Sequence, residues 1–238
     1  AGRSGVGTVM ASKNLKAIAV IGTQGVGNIK DPARFMQTTA EQKKVLVDHP
    51  VTGTGLPTLG TQVLMNVINE TGALPTRNMR EVQFEGANNI SGEQMLEPRE
   101  RDGKPNLTTN AACFACTIAC GRISTIDQGH FTVENKPQYW GNSGGLEYEA
   151  AWALGADTGV DDLDALTYAN FVCNEDGFDP ISFGATLAAA MELYDIGAIT
   201  KEDTGGMELK FGSAEALAWS AEKVAIGEGF GADLGLGS

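Results

Sequence analysis

Three cysteines within eight positions constrain this chain more than any other feature. Cys113, Cys116 and Cys120 are separated by two and then three residues. A loop that turns into a helix with this spacing can point three thiolates at one centre, and thiolates favour zinc or iron–sulfur clusters. Radical-SAM enzymes use the reverse order of spacings, and bacterial ferredoxins use a longer run with a fourth Cys and a Pro. We therefore predict a [4Fe–4S] cluster, with zinc or three unligated thiols as the alternatives.

The remaining ligands of such a centre are not obvious in the sequence. A cubane cluster needs a fourth ligand, and a structural zinc site needs a nearby pair of Cys or His, which neither His49 nor His130 supplies. The fourth cysteine, Cys173, falls on an apolar helical stripe, where a free thiol is more often a small core side chain. We expect the fourth ligand to lie outside this chain.

The charge balance argues against nucleic acid as a partner. The 238 residues include 17 Lys and Arg against 30 Asp and Glu, a formal net charge of −13. A phosphate-binding surface needs clustered basic residues. The apolar runs fall short of the roughly 18–20 residues that span a bilayer. Four cysteines are too few for a disulfide scaffold. These features predict a protein of the cytoplasm, a reducing compartment, without a membrane span.

Residue periodicity predicts a mainly α fold with a small β-containing N-terminal part. We expect a strand over 16–23, a helix from an Asp31 cap to Asp48, and a loop over 51–60. Residues 72–110 are rich in turn formers and are expected to wrap over a surface or a ligand, outside the core. The other expected elements are helices over 61–69 and 91–97, strands over 122–126 and 131–134, a helix carrying the stripe 163–173, and helices over 182–194 and 213–226.

Several segments, in order, resemble the tungsten-dependent aldehyde ferredoxin oxidoreductase family. The matching segments are AGRSGVG at 1–7, SKNLKAI at 12–18, LPTRN at 74–78, FEGA at 84–87, ISGE at 90–93, the cysteine loop, LEYE at 146–149, WALG at 152–155 and CNEDGFD at 173–179. The resemblance covers nearly the whole chain. The family fold has an N-terminal β domain and two helical domains that close over the cofactor.

The resemblance implies that the chain is a piece of a longer polypeptide. Residues 1–25 would end the N-terminal pterin-binding β domain, and residues 26–238 would form the helical second domain with the cysteine cluster. The third domain, absent here, carries the fourth cluster Cys in the family. A start without Met and an end on Gly237 and Ser238 agree with this expectation.

The resemblance also implies an activity and its cofactors. Family members hold tungsten or molybdenum between two pterins, with magnesium bridging the pterin phosphates, and oxidise aldehydes to carboxylic acids. Electrons leave through the [4Fe–4S] cluster to ferredoxin or to an iron–sulfur subunit, and an oligomer is expected. Two alternatives stay open: a benzoyl-CoA reductase-type catalytic subunit on the same scaffold, and a zinc-stapled structural module.

Four residues resemble the pterin-binding positions of the family. Arg3 and Ser4 match the contacts to the pterin phosphates, as a glycine-rich turn and a guanidinium suit an anion. Asn174 and Asp179 match the first and last carboxylates of a family motif, with Asn174 replacing an Asp. Taken without the resemblance, these segments would be an ordinary glycine turn and the end of a helix at Gly177.

Glu149 matches a family glutamate near the metal and is the expected proton-transfer residue. A glutamate beside a cofactor can act as general acid or base. The simpler alternative is that Glu147 and Glu149 favour a helix N-terminus through its dipole. His130 does not match the partner histidine of the family, although its loop could face a substrate channel.

Overall fold

Helices form about half of this chain, and their caps can be read from the residues around them. The computed structural model describes residues 5–141 and 143–238. The α-helices are α1 Val6–Ser12, α2 Pro32–Asp48, α3 Leu56–Leu59, α4 Leu64–Glu70, α5 Gly92–Leu96, α6 Tyr148–Ala151, α7 Leu163–Asp176, α8 Pro180–Asp195, α9 Ala214–Ile226 and α10 Phe230–Leu234. Short π-helical turns precede α3 and follow α6.

The long helices begin where a side chain accepts the first free backbone N–H groups. Asp31 accepts from Arg34 N at 3.0 Å at the start of α2. Asp162 does the same for Ala165 N at 2.9 Å in α7, and Ser213 caps α9. Each cap satisfies an N–H that has no partner within its helix. The predicted helices α2, α7, α8 and α9 are confirmed.

The core lies between α7, α8, α9 and the π-helical turn Trp152–Ala156. The helix α8 approaches this turn closely because residue 184 is glycine: a Cβ there would lie 2.5 Å from the carbonyl oxygen of Ala153. The predicted apolar stripe of α7 faces this core. Cys173 lies there with no exposed surface, as expected of a small apolar side chain.

A three-stranded antiparallel sheet lies in the middle of the chain. The strands β1 Leu107–Ala111, β2 Gly121–Ser124 and β3 Ser143–Gly144 pair in the order β1-β2-β3. Ala111 pairs with Gly121, so residues 112–120 form the loop of a β-hairpin. The cysteine loop therefore leads into strand β2, and our expectation that it turns into a helix was wrong.

The mainly α class with a small sheet is confirmed, but the strand predicted over 16–23 is wrong. Those residues are exposed, and within the described ranges no other segment pairs with them. A strand needs a hydrogen-bonding neighbour for its backbone groups. The assignment of 1–25 and 26–238 to two domains stays a prediction.

Other local predictions fail because backbone groups find different partners. The loop expected over 51–60 coils into a π-helical turn, Val51–Gly55, and α3, with Gly53 N donating to His49 O at 2.7 Å. The strand expected over 131–134 is a turn, since Val133 N and Glu134 N both donate to His130 O.

Residues 72–110 enter the core, contrary to our expectation. Leu74, Phe84, Ile90 and Met95 are almost completely buried. The segment contains the confirmed helix α5, capped where Ser91 accepts from Gln94 N at 3.1 Å. The turn residues between these apolar side chains let the segment fold back on the helices. Among the described helices, none is long and apolar enough to cross a membrane.

Candidate functional site

A cavity of about 500 Å³ opens beside the N-terminus of α6. It brings together two of the predicted site residues, Glu149 from α6 and Asn174 from α7. The polar side chains that line it also include Thr61, Arg122, Glu147 and Asn170. A concave site with a few polar groups in an otherwise apolar lining is typical of a small-molecule site.

Glu149 is positioned by contacts at both ends of its helical segment. At the start, Tyr148 N donates to Thr61 Oγ1 at 2.8 Å, and the Thr61 hydroxyl donates to Glu147 Oε2. At the far end, the indole N–H of Trp152 donates to Pro75 O at 2.8 Å. The segment therefore has little freedom to shift along its axis.

The far wall of the cavity comes from one face of α7. Asn170 and Asn174 are one helical turn apart, so their side chains lie on the same face. Asn170 Nδ2 donates to Gly144 O at 3.1 Å, which fastens strand β3 to this helix. The sheet and α7 therefore meet at the cavity.

Arg122 links the cavity wall to the cysteine loop. Its side chain is 3% exposed and donates to Leu56 O at 3.0 Å and to Asn110 Oδ1. Burial lowers the pKa of Arg122, an effect that the negative charges of Glu147 and Cys120 oppose. A buried cation on β2, the first strand after the cysteines, thus lines the cavity that also contains Glu147 and Glu149.

Asp179 lies in a second cavity of about 750 Å³. It caps α8: its Oδ1 accepts from Ile181 N at 2.9 Å and its Oδ2 accepts from Ser182 Oγ at 3.0 Å. Gly5 and Thr8 line the same cavity, and Thr8 Oγ1 donates to Gly177 O at 3.3 Å. The structure therefore places the start of α1 beside the segment that contains Asp179.

Gly5, Thr8 and Asp179 thus line one cavity, while Glu149 and Asn174 line the other. The cavities are neighbours, since Ile181 lines both. Arg3 and Ser4 lie outside the described residues, so their predicted role stays a prediction. Asp179 already accepts two hydrogen bonds at the start of its own helix. Each carboxylate oxygen can still accept a further hydrogen bond.

The cysteine loop has a backbone that suits sulfur ligands. Ala115 and Ala119, the residues before Cys116 and Cys120, adopt left-handed conformations with φ of 58° and 54°. Ile118 N donates to Cys116 Sγ at 3.4 Å. The backbone N–H groups of Ala119 and Ile118 lower the pKa of Cys116. Alternating handedness that turns N–H groups toward an anion is found at many iron–sulfur sites.

The donor set of the loop fits an iron–sulfur cluster chemically, but the thiols are not gathered. Cys113 and Cys116 are exposed and Cys120 is half-buried, and none forms a disulfide. Across residues 5–141 and 143–238, the structure shows no group of three or more His, Cys, Asp or Glu side chains placed to hold a metal ion. Their role as cluster ligands stays a prediction.

His130 does not face either cavity. Its Nδ1 lies 2.8 Å from Thr132 Oγ1, and its Nε2 lies 3.0 Å from Asp162 Oδ2. The residues that the sequence analysis missed are Thr61 and Arg122. Nothing in the pattern around Thr61 indicates its contact 87 residues away, whereas a lone Arg next to a cysteine cluster was a signal for Arg122.

Comparisons with known proteins point to one family. The family model described as "Aldehyde ferredoxin oxidoreductase, domains 2 & 3" matches residues 37–238. The "Tungsten-containing aldehyde ferredoxin oxidoreductase" of Pyrococcus abyssi is 44% identical over 234 residues, which is 97% of this chain and 35% of that protein. The protein of the same name in Pyrococcus furiosus is 44% identical over 239 residues, 100% of this chain and 36% of that protein.

More distant similarities are also found. A Pyrococcus furiosus "Aliphatic sulfonate oxidoreductase, WOR-like subunit" is 27% identical over 245 residues, 100% of this chain and 35% of that protein. A solved active-site complex of benzoyl coenzyme A reductase matches with a TM-score of 0.55 at 16% identity, over 85% of this chain and 28% of that one. That likeness concerns the fold alone. The chain spans about a third of the length of the curated relatives it matches.

Proposed function

Because the chain belongs to the aldehyde ferredoxin oxidoreductase family, we propose that it forms part of an enzyme that oxidises aldehydes to carboxylic acids. One observation carries the proposal: Glu149 lines a cavity of about 500 Å³ whose wall includes Ala111 and Gly121, the residues on either side of the cysteine loop. Substrate chemistry and electron exit would then be joined by the β1–β2 hairpin.

The proposed cofactors are a tungsten or molybdenum bis-pterin, its bridging magnesium and a [4Fe–4S] cluster. Arg3, Ser4, Asn174 and Asp179 would hold the pterins, and the cysteine loop would hold three corners of the cluster. The metal centre would supply the two-electron oxidation, and the cluster would pass the electrons outward singly. Support comes from the names of the curated relatives, the thiol donor set and the cavity that Gly5 and Thr8 line together with Asp179.

The role of the protein groups follows from the balance of the reaction. An aldehyde and water give a carboxylic acid, two protons and two electrons. Glu149 would accept a proton either from the water as it adds to the aldehyde carbonyl or from the hydrated aldehyde as its C–H bond breaks, and would later release it to solvent. General base catalysis of this kind contributes about 10²–10⁴-fold in rate. The largely apolar lining of the cavity would exclude bulk water from this step.

The remaining proposals concern partners and location. Electrons would pass to a ferredoxin or to a dedicated iron–sulfur subunit that docks near the cysteine loop. Phe114, at the tip of the loop, is 99% exposed. We propose a cytoplasmic oligomer, in line with the reducing environment that free cysteines need.

The test is the metal content and reactivity of the intact, anaerobically purified protein. We expect tungsten or molybdenum with four irons per chain, a paramagnetic signal on reduction, and oxidation of benzaldehyde with a viologen acceptor. Reduction of benzoyl-CoA without aldehyde oxidation would instead indicate the benzoyl-CoA reductase alternative. A colourless protein that contains zinc and no pterin would overturn the proposal in favour of a structural module.

A further inference from the structure

We infer that Thr61 is a positioning residue for Glu149, which it acts on by capping the helix α6 from a distant part of the chain. The inference rests on the proposed function, since it assumes that Glu149 transfers a proton. Thr61 also lines the cavity, but its hydroxyl is engaged by Tyr148 N and Glu147 and takes no part in the proposed chemical step. Its hydroxyl sets where the helix that carries Glu149 begins.

The N-terminus of α6 lacks a local cap. Glu147 occupies the N-cap position in an extended conformation, with φ of −92° and ψ of 159°, and its own side chain does not cap the helix. The first N–H of the helix, that of Tyr148, is instead accepted by Thr61 Oγ1 at 2.8 Å. The cap thus comes from a residue 87 positions earlier in the chain.

The hydroxyl of Thr61 is used in both directions. Its oxygen accepts from Tyr148 N, and its hydrogen is donated to Glu147 Oε2. A hydroxyl has one donor and can accept at its lone pairs, so the two contacts fix its rotamer. Thr61 therefore holds both the backbone of the first helical residue and the carboxylate immediately before it.

The capping residue is itself held rigidly. Thr61 lies in a 3₁₀ turn, Gly60–Val63, next to the fully buried Gln62. Gln62 Nε2 donates to Ile90 O at 2.8 Å, which ties this turn to the core segment that precedes α5. The position of Thr61 is therefore set by packing that does not depend on α6.

The consequence for Glu149 follows from its place in the helix. The helix α6, Tyr148–Ala151, runs directly into the π-helical turn Trp152–Ala156, and Glu149 lies in its first turn. The N–H groups of a first turn have no partner within the helix, so the start of the helix depends on external partners. Loss of the Thr61 contact would let Glu149 shift, and a displacement of about 1 Å at a reacting group can cost about 10²-fold in rate.

The experiment compares Thr61 variants in the intact enzyme loaded with its cofactors. We expect Thr61→Val and Thr61→Ala each to lower kcat about tenfold or more. The KM for benzaldehyde and the tungsten and iron contents should stay near the wild-type values. Thr61→Ser, which keeps the hydroxyl, should restore most of kcat. Thr71→Val is the matched control, because Thr71 Oγ1 donates only to the Ile68 carbonyl at the end of α4.

A double-mutant comparison separates positioning from general stability. If Thr61 acts through Glu149, Thr61→Val should lower kcat in the wild-type background and leave it unchanged in the Glu149→Gln background. An equal loss in both backgrounds, or full activity of both hydroxyl-free variants while Glu149→Gln is impaired, would overturn the inference alone. Full activity of Glu149→Gln would overturn the proposed role of Glu149 and this inference with it.

Discussion

His130 Nε2 lies 3.0 Å from Asp162 Oδ2, and the same aspartate caps α7 through its other oxygen. The carboxylate therefore serves a helix N-terminus and an imidazole at once. This pairing explains why His130 turns away from the cavities. Its hydrogen bond to Asp162 joins the loop that contains His130 to the start of α7.

This pair should make stability depend on pH above the ordinary histidine pKa of about 6.5. Burial lowers the pKa of His130, but the hydrogen bond to Asp162 and the charges of Asp162, Asp164 and Asp127 outweigh it, so the pKa is raised above 6.5. The folded state thus holds the proton more tightly than the unfolded state. The stabilisation is complete below about pH 6.5 and is lost as pH rises through the raised pKa.

Asp162→Asn should remove this dependence while keeping the cap oxygen for Ala165. We expect its melting temperature to fall by about 2–4 °C at pH 6, as for about 1 kcal/mol in a domain of this size, and to match the wild type more closely at pH 8.5. Thermal melts across that range measure the difference. An offset that is the same at every pH would contradict the ion pair.

The buried carboxylate of Asp157 should also make stability fall as pH rises, but over a more acidic range. Within the part of the chain that the structure describes, neither of its oxygens has a hydrogen-bond partner. Burial raises its pKa to about 6, and the nearby N–H groups of Met79 and Asn78 offset this only in part. The folded state then binds more protons than the unfolded state between about pH 4 and pH 6, so stability falls as pH rises through that interval.

Asp157→Asn should therefore stabilise the protein at pH 8 and have little effect at pH 4. Chemical denaturation at both pH values measures the change, with the exposed Asp233→Asn as the control. If Asp157→Asn were destabilising at pH 8, the carboxylate of Asp157 would have hydrogen-bond partners in solution, and the prediction would be wrong.

Gly60 makes room for the guanidinium of Arg122. A Cβ at this position would clash with the side chain of Arg122, and the backbone has φ of 61° and ψ of −158°. Gly60→Ala should lower the free energy of unfolding by more than the roughly 1–3 kcal/mol expected for the backbone conformation alone. Gly229→Ala is the matched control, since Gly229 has a similar backbone, with φ of 54° and ψ of −135°, and open space around it. Equal losses in the two variants would show that Arg122 moves aside without cost.

The thiols of Cys116 and Cys173 should differ in reactivity once the protein is free of metal. Backbone N–H groups lower the pKa of the exposed Cys116, whereas burial raises the pKa of Cys173. Thiolates are the reactive form. We expect iodoacetamide at pH 7 to modify Cys116 at least about tenfold faster than Cys173, measured by mass spectrometry of timed digests. Comparable rates would mean that α7 opens readily.

The cysteine loop shows both the reach and the limit of sequence reasoning. Spacing alone selected the three cysteines as candidate ligands, because thiolate chemistry is local. That the loop closes a β-hairpin depends on Ala111 pairing with Gly121, which no local pattern announces. The strand predicted over 16–23 fails for the same reason, since a strand is stable only with a neighbour.

The residues of the candidate site also fall into those that the sequence identified and those that only the structure revealed. The family resemblance selected Glu149, Asn174 and Asp179, but the structure separates them into two neighbouring cavities. Thr61 could not be found from the sequence, because its contact with Tyr148 forms only when α6 packs beside the turn Gly60–Val63.

The sequence by itself determined the long helices, their caps at Asp31, Asp162 and Ser213, and the donor chemistry of the cysteine loop. These depend on side chains within a few positions of one another, where backbone geometry leaves few choices. Tertiary structure alone decided which carboxylate lines which cavity, that Arg122 is buried beside Gly60, and that a threonine caps a distant helix. Such contacts join residues far apart in the chain, and only packing of the whole core brings them together.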